Sequence, residues 1–229
     1  MISVVIPTLN AEADLPRTLT ALVPAAVDGF VRDVVIVDGG STDATAKVAE
    51  EAGAHFVSSE RGRGRQLAEG ARRAKGPWLL FLHADTVLQA GWEADAFELI
   101  RSVENGARPE AAGVFRYSLD DRGLRAGFLD AVVWLRCRIF KMPYGDQGLL
   151  ISRRLYETVG GFKPMALMED VDMIRRLGGR RIAFLNSAAM TSARRYRDEG
   201  YLRRMLRNLA CLCLYYLRVP PRLLLRIYG

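Results

Sequence analysis

Four polar segments of this sequence carry carboxylates, an imidazole or guanidinium groups at spacings that suit phosphate and metal chemistry. They are D-G-G-S-T-D from Asp38, R-G-R-G-R at residues 61–65, H-A-D at residues 83–85 and M-E-D-V-D at residues 168–172. In the first, the glycines permit a tight turn and an acid can accept hydrogen bonds from a base or a ribose. Asp38 is therefore a candidate ligand-binding acid, and an ordinary turn explains the segment equally well.

The arginine and glycine segment at residues 61–65 places three guanidinium groups just before a predicted helix. Such a helix N-terminus is a natural diphosphate site, because backbone N–H groups and guanidinium groups both donate to phosphate oxygens. The segment is not the dinucleotide motif G-x-G-x-x-G, since Leu67 occupies the position of the third glycine. An ordinary basic loop is the alternative.

His83 and Asp85 follow the most apolar predicted strand, where a lone charged residue is costly unless it is used or paired. One carboxylate together with substrate phosphates is a usual way of holding Mg²⁺ or Mn²⁺, and a neutral imidazole can supplement Mn²⁺. We therefore predict a divalent metal, Mn²⁺ or Mg²⁺, at Asp85 and His83. For His83 the alternative is a hydrogen-bonded histidine at the edge of the core.

Glu169, Asp170 and Asp172 begin a predicted helix, where the helix dipole favours acids and capping alone would explain them. Crowded carboxylates also raise one another's pKa, which suits a general base. A second polar turn, G-D-Q-G at residues 145–148, adds Asp146 and Gln147 as candidates, although a plain loop accounts for it as well.

Composition removes several other chemistries. The 229 residues include two histidines, so zinc sites that need paired histidines are excluded and histidine-based triads have few options. Hydrophobic residues make up 50% and charged residues 26%, which indicates a globular protein rather than a disordered or polytopic membrane protein. The three cysteines have no C-x-x-C spacing and no signal-peptide pattern is present, so reduced thiols in the cytoplasm are expected.

The elements that must position these residues alternate between strands and helices. Apolar runs at residues 2–6, 34–37 and 78–82 read as buried strands. Their alternation with helices implies a mostly parallel sheet, and ligands bind at the carboxyl ends of such strands, where the polar segments converge. Helical patterns cover residues 10–22, 41–53, 65–74, 92–103, 124–140 and 173–177, and weaker strands lie at residues 56–57, 112–117 and 149–152.

The net charge of +7 is unevenly distributed along the chain. From Arg175 onwards there are 13 Arg, no Lys and two acids, a local charge of +11 that leaves −4 for the rest. Residues 209–217 form an unbroken run of nine apolar residues flanked by arginines, whereas a bilayer-spanning helix needs about 20. This tail is predicted to lie on a membrane surface or to pack against the catalytic domain or a second subunit.

The motifs together resemble a known family. S-V-V-I-P-T-L-N, V-I-V-D-G-G-S-T-D, the glycine and arginine loop, A-K-G-P-W-L-L-F-L-H-A-D, R-R-L-Y-E-T-V-G-G-F and M-E-D-V-D occur in this order over residues 2–177. The ordered set resembles the family 2 glycosyltransferases with the GT-A fold. The H-A-D, G-D-Q and S-A-R-R motifs are similar to those of a small bacterial subgroup.

The resemblance implies an α/β fold of the GT-A type at residues 1–198, followed by a basic amphipathic helical tail at residues 199–229. It also implies inverting transfer of a sugar from a UDP- or GDP-linked donor to a hydroxyl acceptor. Asp170 would be the base, and Asp85 with His83 would hold the metal. The implied donor-binding residues are Pro7, Thr8, Asn10, Glu12, Asp38, Gly39, Arg61, Arg65 and Ala84, and those near the acceptor or the diphosphate are Asp146, Gln147, Glu169, Arg194 and Arg195.

Three departures from the family pattern matter. His83 occupies the first position of the D-x-D-type motif, so metal affinity is expected to be lower or biased towards Mn²⁺. Ala68 stands where many relatives carry asparagine, which puts one polar contact near the diphosphate in doubt. No Q-x-x-R-W segment exists, so polymer synthesis is disfavoured, and S-A-R-R at residues 192–195 would take over phosphate contact.

The expected partners are the nucleotide-sugar and a hydroxyl acceptor, with a lipid-linked acceptor and membrane contact through the tail left open and no nucleic acid. The expected location is the cytoplasm, with peripheral contact at the inner membrane face as an open alternative. Two other classes also stay open. A nucleotidyltransferase would act on a nucleoside triphosphate, and a non-catalytic module for anionic lipid or nucleic acid would leave Asp38, Asp85 and Asp170 without a role.

Overall fold

The structure is a computed structural model that describes residues 1–165, 167–219, 223–224 and 227, with Phe140 described by its backbone alone. It contains eight strands: β1 (Ile2–Thr8), β2 (Val31–Asp38), β3 (His55–Ser58), β4 (Trp78–Phe81), β5 (Thr86–Leu88), β6 (Ala112–Leu119), β7 (Leu149–Ser152) and β8 (Ile182–Thr191). The helices described are α1 (Leu15–Thr20), α2 (Val23–Val27), α3 (Thr45–Glu51), α4 (Arg63–Arg73), α5 (Trp92–Glu104), α6 (Leu124–Phe140), α7 (Arg153–Thr158), α8 (Glu169–Leu177), α9 (Arg194–Glu199) and α10 (Tyr201–Tyr216).

The strands form one sheet in the order β3-β2-β1-β4-β7-β6-β8-β5. The first four strands are parallel to one another, as their alternation with helices predicted. The strand β7 joins β4 in the antiparallel direction, and β6 joins β7 through one residue pair, Gly113 with Leu150. Beyond this junction β8 runs parallel to β6, and β5 runs antiparallel to β8.

The central strand β1 is buried on both faces, which explains its apolar sequence. Val4 and Ile6 contribute to the core on one side of the sheet, and Val5 packs on the other side with Leu67 of α4. Burying each of these side chains contributes roughly 1.5 to 3 kcal/mol. Gly70 of α4 lies directly against Val5, where a Cβ atom would clash, so this helix is fixed close to the sheet.

The first predicted helix differs from the observed one. The sequence predicted a helix over residues 10–22, whereas α1 begins at Leu15. Asn10 takes a left-handed backbone conformation with φ of 50°, so the chain turns before the helix starts. The chain continues as the short helix α2, which was not predicted separately.

The strands β5 and β8 were missed. The first has three residues, and the burial of β8 does not alternate. The pairing of β8 with β6 also shifts register between Val114 and Arg116. A pattern of period two therefore had little to detect in either strand.

The C-terminal helices pack on the half of the sheet that contains β6 and β8. Leu129 and Val133 of α6 share a buried cluster with Tyr117, and Met205 of α10 packs against it. Further along, Cys211 of α10 packs with Leu167, Met168, Val171 and Leu224. None of the helices that the structure describes combines the length and apolar character needed to span a membrane.

Candidate active site

The carboxyl ends of β1 and β2 are joined through a buried threonine and a buried aspartate. Thr8 Oγ1 donates to Asp38 Oδ1 at 2.9 Å, and the Ser41 hydroxyl donates to the same oxygen. Asp38 Oδ2 accepts from the backbone N–H groups of Gly40 at 2.9 Å and Ser41 at 2.7 Å. Burial acts to raise the pKa of Asp38, but these hydrogen bonds outweigh it and lower the pKa.

This bonding limits the role predicted for Asp38. A carboxylate has about four acceptor positions, and four donors from the protein already use them. Asp38 therefore orders the turn that follows β2, and a contact with base or ribose requires one of these donors to be displaced. Gly39 in this turn lies against Gln66, whose side-chain atoms come within 3.2 Å of the place a Cβ atom would take.

Asn10 and Glu12 hold the other side of the same turn. Asn10 Oδ1 accepts from the Thr42 N–H at 2.9 Å, and Glu12 Oε2 accepts from the Ala44 N–H at 2.7 Å. Both residues therefore shape the loop that leads into α3. Pro7 lies in β1 beside this loop, and its contact with a nucleotide stays a prediction.

His83 and Asp85 follow β4 and reach the same edge of the sheet as the start of α8. The Gly145 N–H donates to Asp170 Oδ2 at 2.9 Å. A Cβ atom on Gly145 would lie 2.8 Å from His83 Nε2 and 3.2 Å from Asp170 Oδ2, so both side chains crowd the face of this glycine. The Ala84 carbonyl accepts a hydrogen bond from the Thr18 hydroxyl at 2.8 Å. The backbone thus brings the H-A-D segment, the G-D-Q turn and the E-D segment into one place.

One arginine of the loop at residues 61–65 turns into this site. Arg63 forms an ion pair with Glu169, whose side chain is 1% exposed. The prediction selected Arg61 and Arg65, but both are exposed and Arg65 pairs with Glu60. The reason is helical phase, because α4 begins at Arg63 and directs this first residue towards α8.

The charges in the site differ from the predicted pattern. Burial acts to raise the pKa of Asp170, but Arg63 and the hydrogen bonds from Gly145 and Val171 outweigh it and lower the pKa. The expectation that crowding raises the pKa of this acid was therefore wrong. The pKa of Asp146, by contrast, is raised to about 6. Burial is the main cause, Arg136 acts against it, and the nearby Asp170 carboxylate adds to it.

Two further titratable groups complete the electrostatics. Burial raises the pKa of Glu169 even though Arg63 acts against this change. Burial and then Arg63 lower the pKa of His83 to about 4, while Asp85 and Asp170 act in the opposite direction. His83 is therefore a neutral imidazole at pH 7, the form that can coordinate a metal.

Gln147 and Arg194 do not face the site as predicted. Gln147 is buried, donates from Nε2 to the Phe115 carbonyl at 3.0 Å and accepts from Cys137 Sγ at 3.2 Å, so it supports the G-D-Q turn from below. Arg194 forms an ion pair with Asp14 at 3.0 Å. Its neighbour Arg195 is the arginine of the S-A-R-R segment that lines the site.

Side chains of the H-A-D, G-D-Q and E-D segments line a cavity of about 380 Å³. Its polar end is formed by side chains of both charges, and its other walls are apolar side chains of α6 and α10. The polar lining includes Arg63, His83, Asp85, Arg136, Asp146, Asp170 and Arg195, and the apolar lining includes Leu129, Val132, Val133, Met205, Leu206 and Leu209.

Comparison with known proteins finds similarity to one family. The model of the family "Glycosyl transferase family 2" matches residues 3–111. A PGL/p-HBAD biosynthesis glycosyltransferase of Mycobacterium tuberculosis is 30% identical over 172 residues, which cover 71% of this chain and 63% of that protein. Residues 3–111 thus match the family that the motifs of the sequence resemble.

Solved structures of the family share the fold. Glucosyl-3-phosphoglycerate synthase from M. tuberculosis with Mg²⁺ and UDP superposes with a TM-score of 0.65 at 26% identity, covering 96% of this chain and 80% of that one. The same enzyme with Mn²⁺ and UDP-glucose gives a TM-score of 0.64 at 25% identity, with coverage of 96% and 80%. The predicted GT-A fold is thereby confirmed. The chain spans 63% of the length of the curated relatives matched over 172 residues.

The site has a donor set that fits a metal shared with a phosphate ligand. Among the described residues no group of three or more His, Cys, Asp or Glu side chains is close enough to hold an ion by itself. The site nevertheless has Asp85, a neutral His83 and an Asp146 Oδ1 atom that is buried without a hydrogen-bond partner. Few carboxylates together with phosphate oxygens are the usual ligands of Mg²⁺ in such sites.

Sequence reasoning missed two residues that shape the site. Gln66 is buried and donates to the carbonyls of Thr8 and Val37 at 2.8 Å each, so it ties β1 to β2 where the donor-side turn begins. Arg136 lies over the Tyr144 ring at 3.9 Å and lines the cavity. Gln66 follows the arginine loop and could have been flagged as a polar residue on an apolar helix face, but nothing local marks Arg136.

Proposed function

We propose that this protein transfers a sugar from a nucleoside diphosphate-sugar, UDP- or GDP-linked, to a hydroxyl acceptor with inversion at the anomeric carbon. The observation that carries the proposal is the cavity in which Asp85, His83 and Asp170 meet Arg63 and Arg195 at the carboxyl edge of the sheet. This arrangement combines a metal-binding acid, a base and cations for a leaving diphosphate. The similarity to an enzyme solved with UDP-glucose supports it.

Asp170 is the proposed base. Its lowered pKa keeps the carboxylate ionised at neutral pH, and the hydrogen bond from the Gly145 N–H fixes Oδ2. The acceptor oxygen attacks the anomeric carbon while its proton passes to Asp170. The new C–O bond forms as the bond to the diphosphate breaks on the opposite face, which inverts the configuration.

Cations on the donor side act on the departing diphosphate. Arg63 is held by Glu169, and Arg195, which follows β8 in the chain, also lines the cavity. Both can donate to phosphate oxygens as negative charge develops there. Asp85 and His83 would hold Mn²⁺ or Mg²⁺, which supplies further positive charge at the diphosphate when it is bound.

The acceptor is proposed to be lipid-linked, with the basic tail at residues 199–229 contacting the membrane surface at the cytoplasmic face. Support comes from the apolar cavity walls and from the exposed leucines of α10. A small, charged acceptor like the phosphoglyceric acid present with glucosyl-3-phosphoglycerate synthase would leave these walls uncovered.

Donor binding is tested first, by thermal-shift and calorimetric titration with UDP, GDP and CDP, each with and without Mn²⁺. We expect one nucleoside diphosphate to bind with a metal-dependent gain in affinity. Asp85→Ala should remove that gain, and Glu93→Ala, which removes an acid from the outer side of α5, is the matched control. Binding of none of the three would refute the proposed donor.

The base is tested by Asp170→Asn, which keeps the shape of the side chain and removes its ability to take a proton. We expect transfer to lipid extracts containing hydroxyl acceptors to be lost, while the affinity for the nucleoside diphosphate stays within a few-fold of the unaltered protein. Full transfer activity in this variant would show that Asp170 is not the base.

A further inference from the structure

The helix α6 exposes a continuous apolar stripe. Its inner face packs on the sheet through Leu129, Val133 and neighbours. Residues spaced by three and four positions share one face of a helix, and a second such set on α6 is exposed to solvent. The exposed stripe consists of Leu124, Phe128, Val132, Leu135 and Ile139, with Leu124 96% and Phe128 64% exposed.

The helix α10 has a matching stripe. Leu202 is 70% exposed and Leu206 57%, and they continue through Leu209 to Tyr216 at helical spacing. Leu217, directly after the helix, extends the stripe. Two apolar helix faces thus point outwards from the same half of the molecule.

The catalytic cavity lies between the two stripes. Val132 belongs to the stripe of α6 and also lines the cavity, and Leu202, Leu206 and Leu209 do the same on α10. Going round α6, the buried face is followed by the cavity face and then by the exposed stripe, whereas on α10 most of the stripe itself lines the cavity. The stripes are therefore the two rims of the cavity, and an apolar path runs from the molecular surface to the polar end of the site.

The described residues that follow α10 do not cover these rims. Leu224 packs with Cys211 and with Leu167, Met168 and Val171, which lie by the side of α10 that faces α8. Cys211 is fully buried, whereas the stripe residues of α10 are on a different face. An occupant from outside the described residues is needed to bury the stripes.

The charges beside the rims are positive. Residues 122–141 contain four arginines, one lysine and a single acid, and residues 201–218 contain four arginines and no acid. Arg122, Arg125, Arg138 and Lys141 are exposed around α6, and Arg203 and Arg218 are exposed around α10. An exposed apolar stripe flanked by arginines fits the boundary between headgroups and acyl chains of an anionic bilayer.

We propose that α6 and α10 together form a membrane-docking surface for anionic lipid bilayers, with the cavity opening between them directly onto the bilayer. In this arrangement α6 contacts the membrane together with α10, whereas the charge distribution along the sequence points to the tail alone. It extends the proposed function, because a lipid acceptor would pass from the bilayer into the site along the apolar rims without crossing water. Docking itself requires no catalysis.

Docking is tested by flotation of the full chain with phosphatidylcholine vesicles, with and without phosphatidylglycerol. The test variant is Phe128→Glu with Leu135→Glu, since both residues belong to the α6 stripe and neither lines the cavity. The matched control is Val27→Glu on α2, where the valine is 80% exposed. Leu217→Glu tests the rim at α10.

We expect the unaltered protein and Val27→Glu to bind phosphatidylglycerol vesicles, and the α6 double variant to bind at least about tenfold more weakly. High salt should weaken binding of the unaltered protein. Absence of vesicle binding, equal binding to neutral vesicles, or loss in Leu217→Glu with none in the α6 variant would each overturn the proposal. So would a dimer that the α6 variant dissociates without any vesicle binding, because the stripe would then be a self-association surface.

Donor binding separates this proposal from the proposed function. The α6 double variant should keep the affinity of the unaltered protein for the nucleoside diphosphate and its melting temperature. If vesicle binding follows the pattern above while no nucleoside diphosphate binds, the docking surface stands and the proposed reaction fails. If donor binding is present and vesicle binding is absent, the reverse holds.

Discussion

Replacing Arg63 with methionine should destabilise the fold, because it leaves the Glu169 carboxylate buried without its cation. Glu169 is 1% exposed, its Oε2 atom has no hydrogen-bond partner, and burial already raises its pKa. Removing one partner of a buried ion pair costs about 3 to 5 kcal/mol. Since the Arg63 side chain is 31% exposed, we expect a smaller loss of about 2 to 3 kcal/mol.

The assay is thermal and urea unfolding of three variants. A loss of this size lowers the melting temperature of a protein of this length by about 4 to 12 °C. The matched control is Arg65→Met, two residues after Arg63 in the chain. It breaks a surface ion pair with Glu60 and should lower the free energy of unfolding by less than about 1 kcal/mol. Arg63→Met combined with Glu169→Gln removes both charges and should recover most of the loss.

The pH dependence supplies a second check of the same reasoning. A buried acid with a raised pKa binds its proton more tightly in the folded than in the unfolded state, so folding is favoured as pH falls. The deficit of Arg63→Met should therefore shrink between pH 7 and pH 5. Equal melting temperatures for Arg63→Met and Arg65→Met, or a double variant no more stable than Arg63→Met, would refute the assignment of a buried, charge-balanced pair.

Three further changes test the geometry of the site. Asp146 has a pKa raised to about 6 in the folded state, so the free energy of unfolding should fall by about 2 to 3 kcal/mol as pH rises from 4 to 7. When unfolding is measured in the presence of a metal chelator, Asp146→Asn should show a smaller dependence on pH. Gly145→Ala should displace His83 and Asp170 and reduce the rate of sugar transfer by about 100-fold. Gly127→Ala, which has open space around its Cβ position, should leave the rate unchanged, and equal rates for the two variants would contradict the close contact of Gly145 with His83 and Asp170. Gly64→Ala should clash with the Lys163 carbonyl and lower the free energy of unfolding by about 1 to 3 kcal/mol. Urea unfolding measures this loss, with Gly127→Ala as the control, and an unchanged urea midpoint would show that the loop at Lys163 moves to make room.

The strands β1 and β4 could be predicted from the sequence because most of their residues are apolar. β1 and β4 are buried on both faces, so a short apolar run followed by polar residues marks each of them. The strands β5 and β8 gave no such signal, since their burial depends on α5 and α1 packing nearby. Hydrophobic patterning detects a strand only where both or alternate faces are buried.

The candidate site could be predicted at the level of segments and less well at the level of residues. The H-A-D and E-D segments stood out because acids directly follow or precede apolar elements. The arginine loop offered three equivalent side chains, and the start of α4 alone decides that Arg63 faces α8. The sign of the pKa change at Asp170 depends on Arg63 and the Gly145 N–H, which are 107 and 25 residues away in sequence.

The single residue pair between β6 and β7 divides the sheet into two parts. The part before this junction carries the strand ends where the nucleotide-sugar is proposed to bind, and the part after it carries β8, α6 and α10, which supply the apolar walls. Substitutions in the second part can reshape those walls while the pairing of β1 to β4 stays intact. The donor half and the acceptor half of the proposed reaction therefore rest on different parts of the sheet, so the acceptor pocket can change without altering the donor pocket.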